Sequence, residues 1–522
     1  MDEISDADLI LVIGSNTTEQ HPLSSTRIFE ALDKGAKLYV VDPRKIRLTD
    51  FCHEYAGIEP GTNLVLINAM IHVILEEDLW DKDFVEARTE QFEEMKTSVA
   101  DCTPEWAEPI TRIPAETIRK FARDYATADK AMIIFTMGVT QHTTGTKSIR
   151  ALANLAMLTN HVGRPSTGIN PMRGQNNVQG AGDMAMLPNY LPGYQWPEWP
   201  EARERFARVW GDFSCKTGHN IIQMFDLMAE GTMKAAYIVG ENPALSDPDQ
   251  THTIEALKKV PFLVVQDIFL TETAQYADVV LPAASFLERD GTYTNTERRV
   301  QMIRKAIEPV GNCKPDWEII TEIMKRIGME VDYQSPSDIM DEINELVTTY
   351  GGITHERIQE VGLQWPCPTK DHPGTPILHV DQFVRGKGLF TVNDFERLGD
   401  QRSEEYPFIL TTGRVVHQYH TGTMTRKVWT LSREYPEGFI EIHTKDAEAL
   451  GIREHQKLKI TSARGSIVAP AMITDRINEK TVFIPFHFAE IPVNRLTGAQ
   501  NLDPIINIPA MKVSAVRIEV AQ

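Results

Sequence analysis

Short apolar runs alternate with amphipathic stretches over the first third of the chain. Residues 9–13 and 37–41 are mainly apolar runs typical of buried strands, and a helical pattern at 25–34 lies between them. The alternation continues with helices predicted at 63–77, 115–125 and 146–160 and a strand predicted at 131–136. Thr62 is expected to cap the first of these helices. The pattern therefore predicts one doubly wound α/β domain over residues 1–170.

The alternation resumes after a polar stretch, with strands predicted at 235–239, 262–265 and 279–281 and helices at 252–259 and 316–327. It predicts a second α/β domain over residues 171–331. Residues 332–406 are interrupted by proline and glycine, so we expect an irregular surface connector. Predicted strands then dominate residues 407–522, which fits a compact β-barrel. The fold class is therefore α/β, with two Rossmann-like doubly wound domains and a C-terminal β-barrel.

Composition excludes several classes of function. Asp and Glu total 73 against 53 for Lys and Arg, a formal net charge of −20 in 522 residues. Such a protein has no general attraction for a phosphate backbone, so nucleic-acid binding is not expected. No apolar run approaches the roughly 20 residues that span a bilayer, and residues 1–8 are acidic where a secretory signal is basic. We expect a cytoplasmic protein with no direct membrane insertion.

The cysteines are far apart along the chain, at Cys52, Cys102, Cys215, Cys313 and Cys367. None forms a CxxC pair, which argues against zinc ribbons, iron–sulfur clusters and a disulfide scaffold. The sequence therefore predicts no metal ligands in this chain.

Polar loops at the ends of predicted strands are the candidate ligand-binding segments. No GxGxxG loop is present, which argues against a plain NAD-dependent dehydrogenase, but Asp42 ends the second strand where a ribose or base edge is read. Residues 168–183 are dense in Gly, Asn and Gln and hold one positive charge, Arg173. Amides and glycines suit a backbone that closely approaches a polar ligand. Asn242 and Gln266-Asp267 also follow predicted strands, where open sheets bind ligands.

Several polar segments matter together because of their order and spacing: VIGSNTTEQHP (12–22), VDPR (41–44), PGTN (60–63), MGVTQ (137–141), MRGQNNVQG (172–180), GENP (240–243), and TGR (412–414) through HTGTMTR (420–426). Over almost the whole chain they resemble the molybdopterin oxidoreductase family. The stretch from Met172 to Gly180 resembles the formate dehydrogenase catalytic (alpha) subunits in particular.

The resemblance implies a bound cofactor in which two molybdopterin guanine dinucleotides sandwich a molybdenum or tungsten ion (bis-MGD). It assigns one dinucleotide to Gly14, Asn16, His21, Asp42, Pro43, Arg44, Gly61 and Asn63, with Met137 and Gln141 near the pterin end. It assigns the other to Asn242, Gln266, Asp267 and Asp316, and adds Gly174 and Gln175 to the cofactor-binding set. A double-psi-like barrel would cap both tails with Thr412, Gly413, Arg414, His420, Thr421, Gly422, Thr423, Asn494 and Lys512.

Structural roles stay open for several of these residues. Gly14 and Gly61 could instead be turn glycines, and His21 could be a hydrogen-bonded loop histidine. Pro43 could end its strand, and Arg44 could form a surface ion pair.

Arg173 is the predicted catalytic residue. A planar, permanently charged, bidentate donor suits a small carboxylate, and the resemblance places Arg173 beside the metal, where it orients formate. Without the family, the default interpretation is a buried arginine paired to a carboxylate such as Asp183.

Part of the family pattern is missing from this sequence. Complete subunits start with four cysteines that bind a [4Fe–4S] cluster, then a selenocysteine or cysteine that ligates the metal, then a histidine. Cys52-His53 lies in a different context. A selenocysteine codon read as a stop would explain this, and so would a separate cluster polypeptide or a relic of the fold. The cluster is thus expected only in the missing N-terminal segment. Ala185 also stands where we expect a glycine.

The leading interpretation is the N-terminally truncated catalytic subunit of a molybdenum- or tungsten-dependent formate dehydrogenase. It would oxidise formate to carbon dioxide and pass two electrons to a partner subunit with iron–sulfur or flavin centres. We expect this chain alone to be inactive, since a metal ligand and the electron exit are absent. The alternatives are another molybdopterin oxidoreductase, such as a nitrate reductase, and a non-catalytic structural subunit of a redox complex.

Overall fold

The computed structural model describes residues 1–521 and divides into two compact units. One unit comprises residues 1–172, 246–250 and 377–522, and the other comprises residues 173–245 and 251–376. Each unit joins segments that are distant in the chain, and the four-part division made from the sequence remains a prediction.

A parallel five-stranded sheet opens the first unit. Its order in space is Glu54–Ala56, Lys37–Val41, Leu9–Ile13, Ala131–Phe135 and Gly168–Pro171. The central strands are buried apolar runs, as expected for a sheet covered on both faces. The chain leaves the central strand towards one side and later returns on its other side. The loops after these two neighbouring strands therefore diverge and open a crevice at the sheet's carboxyl edge.

Helices pack on both faces of this sheet, since alternate residues of its central strand belong to two separate apolar cores. The α-helices of residues 1–172 are Thr17–Gln20, Pro22–Asp33, Asn63–Glu76, Lys82–Arg88, Phe92–Ser98, Pro104–Thr111, Ala115–Thr127, Met137–Thr140 and Gly145–Leu158. Thr62 is the N-cap residue of helix Asn63–Glu76, as predicted, but its side chain makes no capping hydrogen bond. The Thr62 hydroxyl instead donates to the Glu59 carbonyl at 2.7 Å, so it closes the turn that precedes the helix.

The C-terminal segment forms the predicted barrel. The barrel is closed in the order Phe408–Gly413, Thr481–Pro485, Ile440–His443, Ser466–Thr474, Lys457–Thr461 and Ser514–Val520. Helices Trp429–Glu434 and Thr444–Leu450 lie in this segment, and the short strand Gly388–Leu389 pairs with Thr89–Glu90. Apolar side chains from all six strands fill the barrel core.

The second unit contains a parallel sheet ordered Ala236–Val239, Leu263–Asp267, Val279–Pro282, and an antiparallel sheet ordered Gly291–Thr294, Arg299–Ile303, Leu363–Gln364. The α-helices of residues 173–376 are Val178–Asp183, Pro200–Trp210, Ile221–Ala229, Pro243–Ser246, Gln250–Lys259, Asp316–Arg326 and Pro336–Leu346. The short 3₁₀ helices of residues 1–521 are Asp2–Asp6, Arg47–Phe51, Ala274–Tyr276, Thr348–Tyr350, Thr425–Lys427 and Val493–Arg495.

The segment expected to be an irregular connector is partly regular and partly buried. Pro336–Leu346 is a helix with a capping box between Ser335 and Asp338. Beyond it, Tyr350, Ile353 and Cys367 join an apolar core. Prolines and glycines end elements without excluding them, so their density misled the prediction. Within residues 1–521, no helix combines the length and the apolar character that crossing a membrane requires.

Candidate functional site

Three predicted binding loops leave the five-stranded sheet at one edge. The parallel register sets the ends of three strands level, so Gly14, Asp42 and Thr136 emerge side by side. The Thr136 hydroxyl donates to the Gly14 carbonyl at 2.7 Å. This is the carboxyl edge, beside the crevice, where open α/β sheets bind ligands.

Gly14 and Gly138 make the close approach between two of these loops. Gly14 has a φ of +56°, and a Cβ atom there would lie 2.6 Å from the carbonyl carbon of Gly138. A Cβ atom on Gly138 would lie 2.5 Å from the Gly14 carbonyl oxygen. Gly14 is therefore required by both its backbone conformation and its neighbour, and sequence reasoning missed Gly138.

Arg44 is held in a buried ion pair. Its Nε and Nη2 donate to the two carboxylate oxygens of Glu441 at 2.8 and 2.7 Å, and its guanidinium lies 3.6 Å from the centre of the Phe483 ring. The Arg44 side chain is 15% exposed and that of Glu441 7%, so the surface ion pair considered from the sequence is wrong. Asp42 accepts the Arg44 backbone N–H at 2.9 Å. Burial raises the pKa of Asp42 to about 6, against the pull of Arg44 and Lys512.

Two half-buried cations, Lys512 and Arg414, lie close together on the barrel side of this edge. The Lys512 Nζ donates to the Thr412 carbonyl at 2.7 Å. Burial, reinforced by the charge of Arg414, lowers the pKa of Lys512 to about 7. Burial also lowers the pKa of Arg414, whose guanidinium lies 5.6 Å from the Phe486 ring centre. Neighbouring like charges that are partly removed from water favour an anionic ligand.

His487 fixes the loop that carries most of the barrel candidates. Its Nε2 accepts the Val415 backbone N–H at 3.0 Å, and its Nδ1 contacts the His420 carbonyl oxygen. Because a carbonyl only accepts, the imidazole is neutral with its proton on Nδ1. Burial lowers the pKa of His487 to about 3, which agrees with this neutral form. His420 has a φ of +48°, and burial lowers its pKa to about 4.

His142 is a candidate that sequence reasoning missed, since its only signal was its place next to Gln141. It is 4% exposed, and its Nε2 donates to the Gly138 carbonyl at 2.8 Å. Burial lowers the pKa of His142 to about 4, so Nδ1 is an acceptor, and no residue in the described part of the chain donates to it. His142 and Gly61 both line a polar cavity of about 130 Å³. The buried acceptor therefore calls for a donor group supplied by a ligand or water.

The other candidates of the first sheet lie around the same loops. The Asn63 amide donates to the Gly138 carbonyl at 3.3 Å, and the Gln141 amide contacts the Met511 sulfur at 3.6 Å. Met137 is exposed at the start of its short helix. The rest lie where strands or helices begin or end: Asn16 before Thr17–Gln20, His21 before Pro22–Asp33, and Pro43 between Asp42 and Arg44.

The remaining barrel candidates are engaged by the protein itself. The Thr421 and Thr423 hydroxyls are 2.9 Å apart. Gly413 and Gly422 have no room for a Cβ atom, which would lie 2.5 Å from the Phe483 ring and from the Arg426 side chain respectively. Asn494 is buried and donates to the Ser246 carbonyl at 2.8 Å.

Candidates in the second unit meet at the carboxyl edge of its parallel sheet. The Gln266 amide is buried, donates to Asp316 at 2.7 Å and accepts from the Tyr237 hydroxyl. Asn242 accepts the backbone N–H and the hydroxyl of Thr273 at 3.1 and 2.7 Å. The structure thus gathers these polar groups at one edge, as the sequence predicted, and shows them bonded to one another or to neighbouring loops.

Asp267 lies at the same edge and folds back on its own loop. Its carboxylate accepts the backbone N–H groups of Ile268 and Phe269 at 2.6 and 3.3 Å. Burial raises the pKa of Asp267 above its usual range.

Arg173 is exposed, and Gln179 holds its Nε. The Nε donates to the Gln179 Oε1 at 2.8 Å, and the Gln179 Nε2 donates to Asp183 at 2.8 Å. The Arg173 backbone N–H donates to the Thr296 hydroxyl at 3.0 Å. The alternative of a buried Arg173 paired with Asp183 is therefore wrong, because an amide side chain stands between the two charges.

Asp183 is buried and accepts from three further donors. The Tyr194 hydroxyl lies 3.0 Å from its Oδ1, while the Tyr350 hydroxyl and the Trp365 indole N–H lie 2.6 and 2.8 Å from its Oδ2. Burial and the Asp183 charge raise the pKa of Tyr194 to about 12. Sequence reasoning missed both aromatic residues beyond position 331, because only folding brings them to this loop.

The loop that follows Arg173 is fixed by backbone conformation as well. Gly174 and Gln175 are half-buried in it. Asn177 has a φ of +59° and accepts the Thr294 backbone N–H at 3.0 Å. Ala185, where the family pattern led us to expect a glycine, has a φ of +61°, a conformation that favours glycine. Within residues 1–521, no three His, Cys, Asp or Glu side chains group so as to hold a metal ion.

Comparison with known proteins gives two family matches. The Molybdopterin oxidoreductase model matches residues 1–326, and the model described as "Molydopterin dinucleotide binding domain" matches residues 408–515. The first covers more than half of the chain.

Similar proteins point in the same direction. The chain is 48% identical to the F420-dependent formate dehydrogenase subunit alpha of Methanocaldococcus jannaschii, over 99% of this chain and 77% of that protein. It is 40% identical to formate dehydrogenase H of Escherichia coli, over 99% of this chain and 74% of that protein. Acetylene hydratase from Pelobacter acetylenicus shares the fold, with a TM-score of 0.80 at 22% identity, over 99% of this chain and 78% of that one. On these findings the chain belongs to the molybdopterin oxidoreductase family.

Proposed function

We propose that this chain is the catalytic alpha subunit of a formate dehydrogenase that uses molybdenum or tungsten in bis-MGD. The observation that carries the proposal is the exposed Arg173, fixed in a loop of glycines and amides. A guanidinium binds a small carboxylate through two parallel charge-assisted hydrogen bonds, so Arg173 suits formate. The similarity to formate dehydrogenase alpha subunits supports the same substrate.

Residues of the first unit fit a phosphorylated dinucleotide. Lys512 and Arg414 are half-buried cations whose lowered pKa values reflect the lack of a nearby counter-charge sufficient to offset burial. Phosphates would supply that charge. The buried acceptor His142 Nδ1 calls for a donor, which a guanine or pterin N–H supplies. The contact between Gly14 and Gly138 keeps this edge free of side chains, so a ligand can approach the backbone.

Residues of the second unit offer a complementary set. Gln266, Asn242 and Asp267 present amide and carboxylate groups at a strand edge, the chemistry that reads ribose hydroxyls and base edges. We propose that these groups hold the second dinucleotide.

When bound, the cofactor would supply the redox chemistry, accepting the two electrons that are released when formate is oxidised to carbon dioxide and a proton. The chain's own contribution is orientation. Arg173 binds the carboxylate oxygens and so fixes where the C–H bond points.

The proposed function also implies a partner subunit and a location in the cell. Two electrons must leave for each formate oxidised, so we propose an electron-transfer partner subunit with iron–sulfur or flavin centres. Relatives whose names include "subunit alpha" support such an assembly. The five cysteines are free thiols, which supports a reducing, cytoplasmic location.

The test uses the protein isolated from its native source. We expect molybdenum or tungsten in the preparation and formate-dependent reduction of a viologen dye. Arg173→Lys should lower kcat/KM for formate by about 100-fold, since one point charge replaces a bidentate donor worth about 3 kcal/mol. Arg208→Lys, at an exposed arginine of helix Pro200–Trp210, is the control and should leave activity unchanged.

Other outcomes would select an alternative. Reduction of nitrate in place of formate oxidation would identify a different oxidoreductase of the family. A preparation with neither metal nor activity would favour a structural subunit of a redox complex.

A further inference from the structure

We propose that Gln179 and Asp183 are positioning residues that select which edge of the Arg173 guanidinium meets the substrate carboxylate. This inference rests on the proposed function, because it takes Arg173 as the residue that binds formate. It concerns two side chains that neither the comparisons nor the sequence analysis assigns to the site.

Asp183 is the fixed point of the arrangement. Its two oxygens accept from Tyr194, Tyr350 and Trp365 as well as from Gln179, at 2.6 to 3.0 Å. The Trp365 N–H can only donate, and the hydroxyls of Tyr194 and Tyr350 donate as well, so the side chain acts as an acceptor on both oxygens. Such a buried acceptor, bonded by rigid aromatic donors on both oxygens, has little freedom to rotate.

The orientation of the Gln179 amide follows from this. A carboxylate cannot donate, so the amide must present its NH₂ group to Asp183 at 2.8 Å. The carbonyl oxygen of Gln179 then faces away from Asp183, towards the Arg173 Nε at 2.8 Å. An amide turned the other way would set two acceptors against each other at Asp183 and two donors against each other at Arg173. The charge of Asp183 therefore decides which atom Arg173 meets.

The Gln179 contact determines which edge of the Arg173 guanidinium the substrate carboxylate can bind. A carboxylate can bind an arginine along its Nε–Nη edge or along its Nη–Nη edge. Gln179 engages Nε, so it directs the substrate carboxylate to the Nη–Nη edge. The amide spacer also keeps the Asp183 charge from pairing directly with Arg173, where it would compete with formate.

The test measures formate binding without relying on turnover. Phenylglyoxal modifies arginines, and mass spectrometry of the peptide that contains Arg173 reports its rate of modification. We expect formate to slow this rate in the wild-type protein isolated from its native source. Gln179→Met, which has no polar group, should raise the protecting formate concentration by about tenfold or more, and KM in parallel, with a smaller change in kcat.

A charge swap separates positioning from structural support. The double substitution Q179E/D183N keeps a donor facing an acceptor at each hydrogen bond between Arg173, residue 179 and residue 183, so the thermal stability of this variant should return close to that of the wild type. It moves the carboxylate next to Arg173, so formate protection should remain at least about tenfold weaker. Gln334→Met makes the same substitution at an exposed glutamine outside this network. It is the matched control for Gln179→Met and should leave formate protection unchanged.

The outcomes are distinguishable. Formate protection in Gln179→Met and in the swap equal to that of the wild type would overturn the positioning role while leaving the proposed function standing. A wild-type protein that formate does not protect at all would overturn the proposed function, and this inference with it.

Discussion

Removing one partner of the Arg44–Glu441 ion pair should destabilise the first unit strongly. The pair is bidentate at 2.8 and 2.7 Å, and neither side chain is more than 15% exposed. Unit charges about 4 Å apart attract by about 4 kcal/mol at the effective dielectric constant suited to such sites. Breaking a buried pair from one side typically costs about 3–5 kcal/mol, since the remaining charge stays buried without its partner.

Three variants measure this energy as a double-mutant cycle. Glu441→Met leaves Arg44 on the Phe483 ring without its carboxylate, and we expect a loss of about 3 kcal/mol. Arg44→Met leaves the more deeply buried Glu441 unpaired, and we expect about 3–5 kcal/mol. The double substitution removes both charges and should recover to within about 1 kcal/mol of the wild type.

Hydrogen exchange in urea is the suitable assay, because a chain with several cores does not unfold in one step. Peptides covering strands Lys37–Val41 and Ile440–His443, which adjoin the two charges, should report the local free energy of opening. Single variants that each lose less than about 1 kcal/mol, or a double variant that loses the sum of both, would refute the reasoning.

Three further predictions concern Lys512, Gly14 and the buried titratable groups. Lys512→Met should raise the melting temperature of the cofactor-free chain at pH 7, because the Lys512 pKa of about 7 means that the fold disfavours its charge. The same substitution should abolish any stabilisation by guanosine diphosphate. An unchanged response to that nucleotide would contradict the role of Lys512 in binding phosphate. Gly14→Ala should cost at least about 2 kcal/mol more than Gly451→Ala in urea unfolding, since both have a positive φ but only Gly14 has backbone within 3 Å of the new Cβ; equal losses would rule out the clash. The free energy of unfolding should fall as the pH drops from about 6.5 towards 4, because burial lowers the pKa values of His142 and His487 to about 4 and about 3, and the unfolded chain takes up protons that the folded chain does not. The buried Asp42, with its pKa of about 6, offsets part of this loss. A melting temperature that is constant from about pH 7 to about pH 4.5 would contradict this prediction.

The elements of the fold were readable from local pattern. Strands Leu9–Ile13 and Lys37–Val41 have the predicted bounds, and strands dominate the C-terminal segment as predicted. A strand buried on both faces must be apolar along its length, so its place appears in the sequence directly. Polar residues at strand ends were equally readable, because parallel strands bring their carboxyl ends to one edge whatever the details of packing.

Only the tertiary structure decided which side chains form ion pairs and hydrogen bonds with one another. Glu441 meets Arg44 across 397 residues of chain, and Tyr350 meets Asp183 across 167. Periodicity carries no information about such distances, so the alternatives considered from the sequence made Arg44 a surface ion pair and Asp183 a direct partner of Arg173. The same limit applies to the Thr62 hydroxyl, which donates to the Glu59 carbonyl and makes no capping hydrogen bond, and to residues 332–406, where burial overrode composition. The sequence by itself determined which segments fold and which edges can bind, since these follow from local polarity. Which atoms face one another there depends on close packing of distant segments, and only the folded chain decides that.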